Sequence, residues 1–380
     1  MPKSLNDDLR TKDLAKVDYP MFDLVKKERL FIAIILFLGL ISLIAYPYPR
    51  IAMWIGFAIA GYAAIANDSI QTIGTFIASN KDKKWYYLWL FMGTIFVITI
   101  LHSWFLYDGD VSHQRLAAKG FDVAPQSFSF LELAAPIILL ILTRMRMPVS
   151  TTFLLLSVFA TKTSAIMGVL SKSMFGYFLA FITAFIIWIL VSKFINKYFK
   201  NREAGFGWTI AQWITSGTLW SVWIMQDAAN IAIFLPRELS AWEVFAFVGY
   251  IFIGLGLLFY LKGDKIQQIV DEKTGVTDVR AATLVDFIYS FLLYYKLYES
   301  DMPMSTTWLF IGLLGGRELA ISFMRRKPSK RKKATIRAIK IITKDLGFAL
   351  IGILVSIALT LAINTGVRKE VFDIVKAYFE

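Results

Sequence analysis

Two copies of one pentapeptide divide this chain: Pro148-Val149-Ser150-Thr151-Thr152 and Pro303-Met304-Ser305-Thr306-Thr307. A second pair of motifs precedes them, Asn67-Asp68-Ser69-Ile70-Gln71 and Gln226-Asp227-Ala228-Ala229-Asn230. The two serines are 155 residues apart and the two aspartates are 159 residues apart. Two motifs that recur in the same order at nearly the same offset predict a duplicated structural unit.

The composition predicts a protein embedded in a lipid bilayer. Of the 380 residues, 57% are hydrophobic and 18% are charged, and the mean hydropathy is +0.58. A soluble domain of this length carries more charge and less apolar surface. The chain has no cysteine and two histidines, which excludes disulfides, thiolate chemistry and a histidine-based metal site. We therefore expect an all-α polytopic membrane protein.

Apolar segments of about 20 residues, the length needed for one crossing, predict the membrane spans. Two shorter apolar regions, 129–163 and 282–323, are interrupted in the middle by charged residues and a proline. We interpret them as helical hairpins that dip into the membrane, with two full crossings each as the alternative. The fold would then have seven crossings plus two hairpins, up to 11–12 helices in all. The predicted spans are 30–46, 52–79, 85–107, 170–195, 208–235, 242–261 and 345–366.

Lysine and arginine predict the orientation. The net charge of +13 is concentrated in the N-terminal segment and in alternate loops, which is typical of cytoplasmic loops. The N-terminus is then cytoplasmic and the C-terminus external, in an inner or plasma membrane. Because the duplicated unit has three crossings, its second copy runs inverted. The predicted division is a cytoplasmic segment 1–28, a first span 29–50, repeat one 51–205, repeat two 206–366 and a tail 367–380.

Asp68 and Asp227 are candidate sites for a coupling ion. A carboxylate in the middle of a bilayer costs roughly 2.5–3.5 kcal/mol on insertion scales, so it needs a partner or a function. Thr72 and Thr75 follow Asp68 at helical spacing and add oxygen ligands of the kind a hard cation prefers. We predict sodium or a proton at each aspartate; the alternative is a buried aspartate paired with a basic residue for packing alone.

The Ser-Thr-Thr elements are candidate anion sites. A serine after a proline break favours a helix N-cap, so a new helix is predicted to begin at each hairpin tip. Free N–H groups and the positive end of the helix dipole bind phosphate and carboxylate groups. Two tips that enter from opposite faces would converge on one anion. Simple capping is the alternative interpretation.

Four charged residues near the hairpins receive structural predictions. Lys162 and Arg317 each follow a tip serine by 12 residues, which predicts a place near a membrane face with snorkelling side chains. Glu132 and Asp286 precede the tip serines by 18 and 19 residues and are expected in water at the hairpin bases. The basic cluster 325–333 is expected to contact anionic lipids, with no nucleic acid as a partner.

Together the four motifs resemble those of the inorganic phosphate transporter (PiT-type) permeases. That family carries an Asn-Asp-x-x-Asn-x-x-Gly-Thr element and a Pro-Val-Ser-Thr-Thr element in each half. The first copy here departs at Gln71; the second departs at Gln226 and at Ile233-Phe234. Both Pro-x-Ser-Thr-Thr elements are intact. The resemblance extends over residues 52–366 and implies a transporter of two inverted repeats.

The resemblance also implies a function and a binding site. It implies uptake of inorganic phosphate coupled to sodium or protons, with no other cofactor and a possible homodimer. Sulfate or another oxyanion is an alternative substrate, and a channel or a non-transporting sensor is an alternative function; no enzymatic motif is found. The implied substrate-binding residues are Asn67, Gln71, Ser150, Thr151, Thr152, Gln226, Asn230, Ser305, Thr306 and Thr307, with Asp68 and Asp227 for the coupling ion. Helical spacing alone adds Thr72 and Thr75 to the coupling-ion group.

Overall fold

The computed structural model describes residues 21–80, 82–145, 147, 149–198, 204–261, 279–325 and 327–379. Within these ranges the chain is all-helical, with thirteen α-helices and no strand. This confirms the predicted fold class. The helices are α1 Met21–Ala45, α2 Pro49–Asn67, α3 Ser69–Ser79, α4 Trp85–Leu106, α5 Phe130–Arg144, α6 Thr151–Phe159, α7 Thr163–Tyr198, α8 Phe206–Ala232, α9 Ala241–Tyr260, α10 Val279–Glu299, α11 Thr306–Phe323, α12 Pro328–Ile363 and α13 Thr365–Phe379.

Among the described helices, six are long and apolar enough to cross a membrane: α1, α2, α4, α7, α9 and α12. The chain is therefore an integral membrane protein. The predicted span 208–235 corresponds to α8, which has 27 residues but is not among the six. Its buried face carries polar side chains, including Gln212, Ser216 and Asp227, and these lower its hydropathy. Segment 1–20 lies outside the described residues.

Helices of the same kind follow one another in the two halves of the chain. Each half has an aspartate-bearing segment, a second long helix, a hairpin and a third long helix, in that order. In the first half these are α2–α3, α4, α5–α6 and α7. In the second half they are α8, α9, α10–α11 and α12. The two aspartate-bearing segments differ, because α2 and α3 are separated at Asp68 whereas α8 continues through Asp227. The predicted span 52–79 is thus two helices.

The two halves interlock through their hairpins. The first arm of each hairpin packs within its own half, α5 against α2 and α10 against α8. The second arm packs against the third long helix of the opposite half, α6 against α12 and α11 against α7. Each hairpin is therefore held partly by its own half and partly by the other.

The first hairpin is too short to cross a bilayer. Its arms have 15 and 9 residues, or about 22 and 14 Å at the helical rise, against a hydrocarbon core of about 30 Å. Serine caps fix where the second arms begin, as predicted. The Ser150 hydroxyl accepts from the Phe153 N–H at 3.0 Å, and the Ser305 hydroxyl accepts from the Trp308 N–H at 3.2 Å.

Two glycines bring α11 against α7. Gly312 and Gly316 lie one turn apart, and a Cβ on either would overlap the backbone carbonyl of Tyr177 or Phe181. Small residues at this spacing let helices in a membrane approach closely. This close contact sets the position of the second hairpin tip, since α11 begins at that tip.

The prediction of a snorkelling Arg317 is wrong. Arg317 is buried, with its guanidinium over the Trp188 ring at 5.3 Å and an ion pair to Glu318 at 2.8 Å. An aromatic face and a neighbouring carboxylate compensate the charge inside the protein. Lys162 is exposed, but no helix of twelve residues leads to it, because α6 ends at Phe159.

Replacement of Gly316 by alanine should separate α11 from α7 and destabilise the protein by about 1–3 kcal/mol, the usual cost of overpacking. Thermal unfolding in detergent would measure the change. Gly347→Ala is the matched control, because Gly347 on α12 has open space where a Cβ would stand. Equal unfolding temperatures for the two variants would contradict the close contact.

Candidate functional site

Both hairpin tips meet at the carboxylate of Asp227. The Thr152 hydroxyl of the first tip donates to Oδ1 at 3.3 Å, and the Thr306 hydroxyl of the second tip donates to Oδ2 at 2.5 Å. The Asn230 amide, one turn further along α8, donates to Oδ1 at 3.2 Å and to the Thr152 hydroxyl at 3.1 Å. The structure therefore brings residues from three of the four sequence motifs into direct contact.

Asp68 stands in a related position in the first half. Its carboxyl is buried and interacts with the Thr151 side chain. Thr151 precedes Thr306 by the same 155 residues that separate the tip serines, so Thr151 and Asp68 hold the positions in the first half that Thr306 and Asp227 hold in the second. The two carboxyls are close enough to interact electrostatically. The motif side chains of Asn67 and Gln71 lie outside the described residues.

Some buried polar atoms at this place have no partner among the described residues. Both atoms of the Gln226 side-chain amide and Oδ1 of Asn230 make no hydrogen bond, although both residues are almost fully buried. An unpaired buried donor or acceptor costs about 1–3 kcal/mol, so native structures contain few of them. A donor and two acceptors beside Asp227 are what an oxyanion and a cation would use on binding.

The helix ends add further donors. α6 begins at Thr151 and α11 begins at Thr306, so the first N–H groups of both helices lie at the tips that contact the aspartates. Ser150 and Ser305 accept from backbone N–H groups of their own helices and so fix the direction of each tip. Thr307 is buried beside them. The place combines helix N-termini, a type of group that can bind anions, with carboxylates, a type of group that can bind cations.

Asp286 is a further buried carboxylate in the membrane-embedded part of the chain. It is fully buried on α10 and accepts from the Thr75 hydroxyl at 2.8 Å and from the Ser216 hydroxyl at 2.5 Å. The expectation that Asp286 lies in water is wrong, because α10 packs on α8 and turns this side chain inward. Glu132 is in a surface capping box with Ser129, as expected of a hairpin base.

Thr75 therefore directs its hydroxyl to Asp286. The Ser79 hydroxyl donates to the Thr75 carbonyl at 2.6 Å, and Gln212 donates to the Ser79 hydroxyl at 2.5 Å. Asn80, at the end of α3, donates to the Gln212 side chain at 2.9 Å. A row of polar groups thus connects Asp286 with the end of α3. Thr72, one turn before Thr75 on α3, is also buried.

Tyr289 connects the Asp286 cluster to the hairpin tip. It lies one turn after Asp286 on α10, is fully buried, and donates its hydroxyl to the Thr306 carbonyl at 3.1 Å. Thr306 in turn donates to Asp227. A displacement of α10 would therefore displace the hairpin tip through this hydrogen bond. The sequence signal for Asp286 is a single acid in the middle of a helix-length apolar segment.

The fold is similar to that of a known transporter. A solved structure of a protein named "The sodium-dependent phosphate transporter" matches with a TM-score of 0.51 and 16% identity, over 85% of this chain and 99% of that one. At this identity the likeness shows a shared fold and no more. No protein-family model and no curated protein matches the sequence. Together with the apolar helices, the likeness supports a polytopic helical membrane fold.

Asp286→Leu should destabilise the protein by about 1–3 kcal/mol, because the Thr75 and Ser216 hydroxyls would lose their buried acceptor. Adding Thr75→Val and Ser216→Ala removes those donors, so the triple variant should recover most of the loss. Unfolding in detergent would measure the stability of the single and the triple variant. A triple variant as unstable as Asp286→Leu would show that these hydrogen bonds are not the cause.

Proposed function

We propose that this protein is a secondary active transporter that takes up inorganic phosphate together with sodium ions or protons, by alternating access around the site at Asp68 and Asp227. The observation that carries the proposal is the meeting of both hairpin tips at one buried carboxylate. Binding sites where broken or re-entrant helices of two repeats meet are the usual arrangement in secondary transporters.

The charges of the site favour coupled transport. The described hydrogen-bond partners of Asp227 are hydroxyl and amide groups, and none is lysine or arginine. A phosphate anion placed beside two buried carboxyls would add negative charge in a medium of low dielectric constant, which is costly without compensation. Sodium ions or protons that enter with the anion would supply it. The anion would then cross the membrane only when sodium ions or protons are transported with it.

The same carboxyls favour phosphate over sulfate. At neutral pH phosphate still carries a proton that a carboxylate can accept in a hydrogen bond, whereas sulfate carries none. A site that leaves a buried polar group unpaired discriminates strongly against the ligand that fails to pair it. Sulfate or another oxyanion stays the second candidate, because Gln226 stands where the PiT-type motif has asparagine and reaches one methylene further.

The roles follow the chemistry of each group. The tips, Ser150 to Thr152 and Ser305 to Thr307, would bind the anion through helix N–H groups and hydroxyls, together with Asn67, Gln71, Gln226 and Asn230. Asp68 and Asp227 would hold the coupling cations. We propose Asp286 as an additional cation or proton site, since it is buried and has hydroxyl partners only among its described hydrogen bonds.

The cellular setting belongs to the same proposal. The distribution of lysine and arginine supports a cytoplasmic N-terminus and an external C-terminus in an inner or plasma membrane. Anionic lipids are the expected neighbours of the basic segment 325–333, and a homodimer is the expected assembly. A channel and a non-transporting sensor are the competing functions, and neither would show uptake driven by an ion gradient.

The deciding experiment is uptake of labelled phosphate by proteoliposomes with and without an inward sodium or proton gradient. We expect gradient-dependent uptake that excess sulfate does not inhibit. Uptake abolished by sulfate would replace phosphate by a sulfate-type substrate. A phosphate flux that is the same with and without either gradient would indicate a channel. The absence of flux for any oxyanion would refute the transport function.

In the same assay, Asp227→Asn should reduce gradient-driven uptake to background, because an amide cannot supply the negative charge that holds a cation. Folding should persist, since the amide oxygen can still accept from the Thr152 hydroxyl and the Asn230 amide, while the amide NH2 can donate to the Thr306 hydroxyl. Asp82→Asn is the matched control: Asp82 is an exposed carboxylate with a surface partner, Lys83. Equal uptake by the two variants would remove Asp227 from the mechanism.

A further inference from the structure

The second hairpin tip is contacted by the loop that joins α4 to α5. This loop, residues 107–128, is tied to the following half, since Leu239 donates its N–H to the Gly109 carbonyl at 2.9 Å and Arg237 donates to the Val123 carbonyl at 2.9 Å. Leu116 and Phe121 bury their side chains beneath it. The loop is therefore a fixed cover over one side of the bundle.

Arg115 extends from this cover to the tip. Its side chain is buried, and its guanidinium donates to the Ser300 carbonyl at 2.5 Å and to the Leu297 carbonyl at 3.1 Å. Asp301 lies 3.6 Å from the same guanidinium. All of these acceptors belong to the end of α10 and to the turn that leads into Ser305.

Lys172 of α7 reaches the same turn from the other side. Its ammonium donates to the Ser300 carbonyl at 2.7 Å and to the Met302 carbonyl at 2.5 Å. Ser300 thus receives a charged donor from each of two separate elements. Next to it, Ser173 on α7 accepts from the Ser305 N–H at 2.8 Å, so the contacts continue to the start of α11.

The basic side chains at this place stabilise the C-terminal end of α10. A helix C-terminus carries partial negative charge on its last carbonyls, and cations stabilise it. Lys296, also buried, pairs with Glu299 and lies 4.6 Å from the centroid of the Phe175 ring. Three buried basic side chains therefore surround one helix end, with the carboxylates of Glu299 and Asp301 beside them. Hydrogen bonds to charged groups contribute more than neutral ones, in particular where water is excluded.

The first hairpin tip is held in another way. Arg144, at the end of α5, pairs with Glu28 and lies over Phe31, both on α1. Gly352 on α12 approaches Val149 through apolar contact. Among the described residues, a loop arginine and a helix lysine converge on tip carbonyls only at the second hairpin.

We propose that Arg115 and Lys172 form a latch that holds the second hairpin tip against Asp227, and that its release opens the site toward the face of loop 107–128. The tip carries Thr306, which donates to Asp227, so the latch acts through the tip and not on the ligand. Arg115 and Lys172 are positioning residues. The role of the latch in opening a transport site rests on the proposed function, whereas its test by labelling does not.

The absence of cysteine permits a direct test of opening. Met304 is fully buried at the tip and lies outside the proposed binding groups, so Met304→Cys supplies a single reporter thiol. Vesicles holding the full chain would be treated with a membrane-impermeant maleimide from each side in turn. Val123→Cys, exposed on the loop, identifies the side on which loop 107–128 lies.

We expect slow labelling of Met304→Cys in the parent chain. Adding Arg115→Gln or Lys172→Gln should raise the labelling rate from the loop side by roughly tenfold or more, since a buried charged hydrogen bond shifts an opening equilibrium by such a factor. Arg115→Lys and Lys172→Arg, which keep a charged donor, should restore much of the protection. Lys119→Gln, an exposed cation of the same loop, should change nothing.

An unchanged labelling rate in both glutamine variants would refute the latch. A rise of equal size from both sides would also refute it, because that result indicates general loosening of the fold. The labelling needs no transport, so a failed latch is distinguished from a failed function. If phosphate uptake is found, the glutamine variants should lower its maximum rate more than they alter KM, as expected of a conformational step.

Discussion

The structure depends on one buried carboxylate that receives hydroxyl groups from both hairpins. Asp227 lies on α8, while Thr152 and Thr306 come from opposite halves of the chain. A buried carboxylate without such partners would be unstable in an apolar medium. The hydroxyls can reach it only if each hairpin makes its turn beside Asp227 of α8. The short arms of the first hairpin, the serine caps of both and the close glycine contact of α11 all fix where those turns lie.

Crossed packing makes the position of each hairpin tip depend on both halves of the chain. Each hairpin has its first arm on its own half and its second arm on the opposite half. A rotation of one half against the other must therefore displace both tips relative to Asp68 and Asp227. Alternating access requires such a displacement, and a site composed of tips from both halves would respond to it directly. Tyr289 extends the same dependence to Asp286 through the Thr306 carbonyl.

The sequence predicted the repeated motifs, the serine caps and the all-helical fold because each rests on local rules of spacing and composition. It misplaced Asp286 and Arg317 because their partners are distant in the chain. Asp286 depends on Thr75 and Ser216, and Arg317 depends on Trp188 of another helix as well as on Glu318. The break at Asp68 was also missed, since the apolar run 52–79 has no proline and no charged residue besides that aspartate. The predicted binding roles of the motif residues stay predictions.

The two repeats are alike in order but unequal in chemistry, and the inequality has a physical consequence. The first hairpin arm of the second half carries a buried acid, and its end is contacted by Arg115 and Lys172 of the first half. The first hairpin arm of the first half has a surface glutamate and an arginine paired with α1. Two identical halves would make the inward and outward states equal in energy. Unequal contacts at the two tips remove that symmetry, so the energy needed to open one face differs from that needed to open the other. The proposed carrier would then rest in one state and use an ion gradient to populate the other.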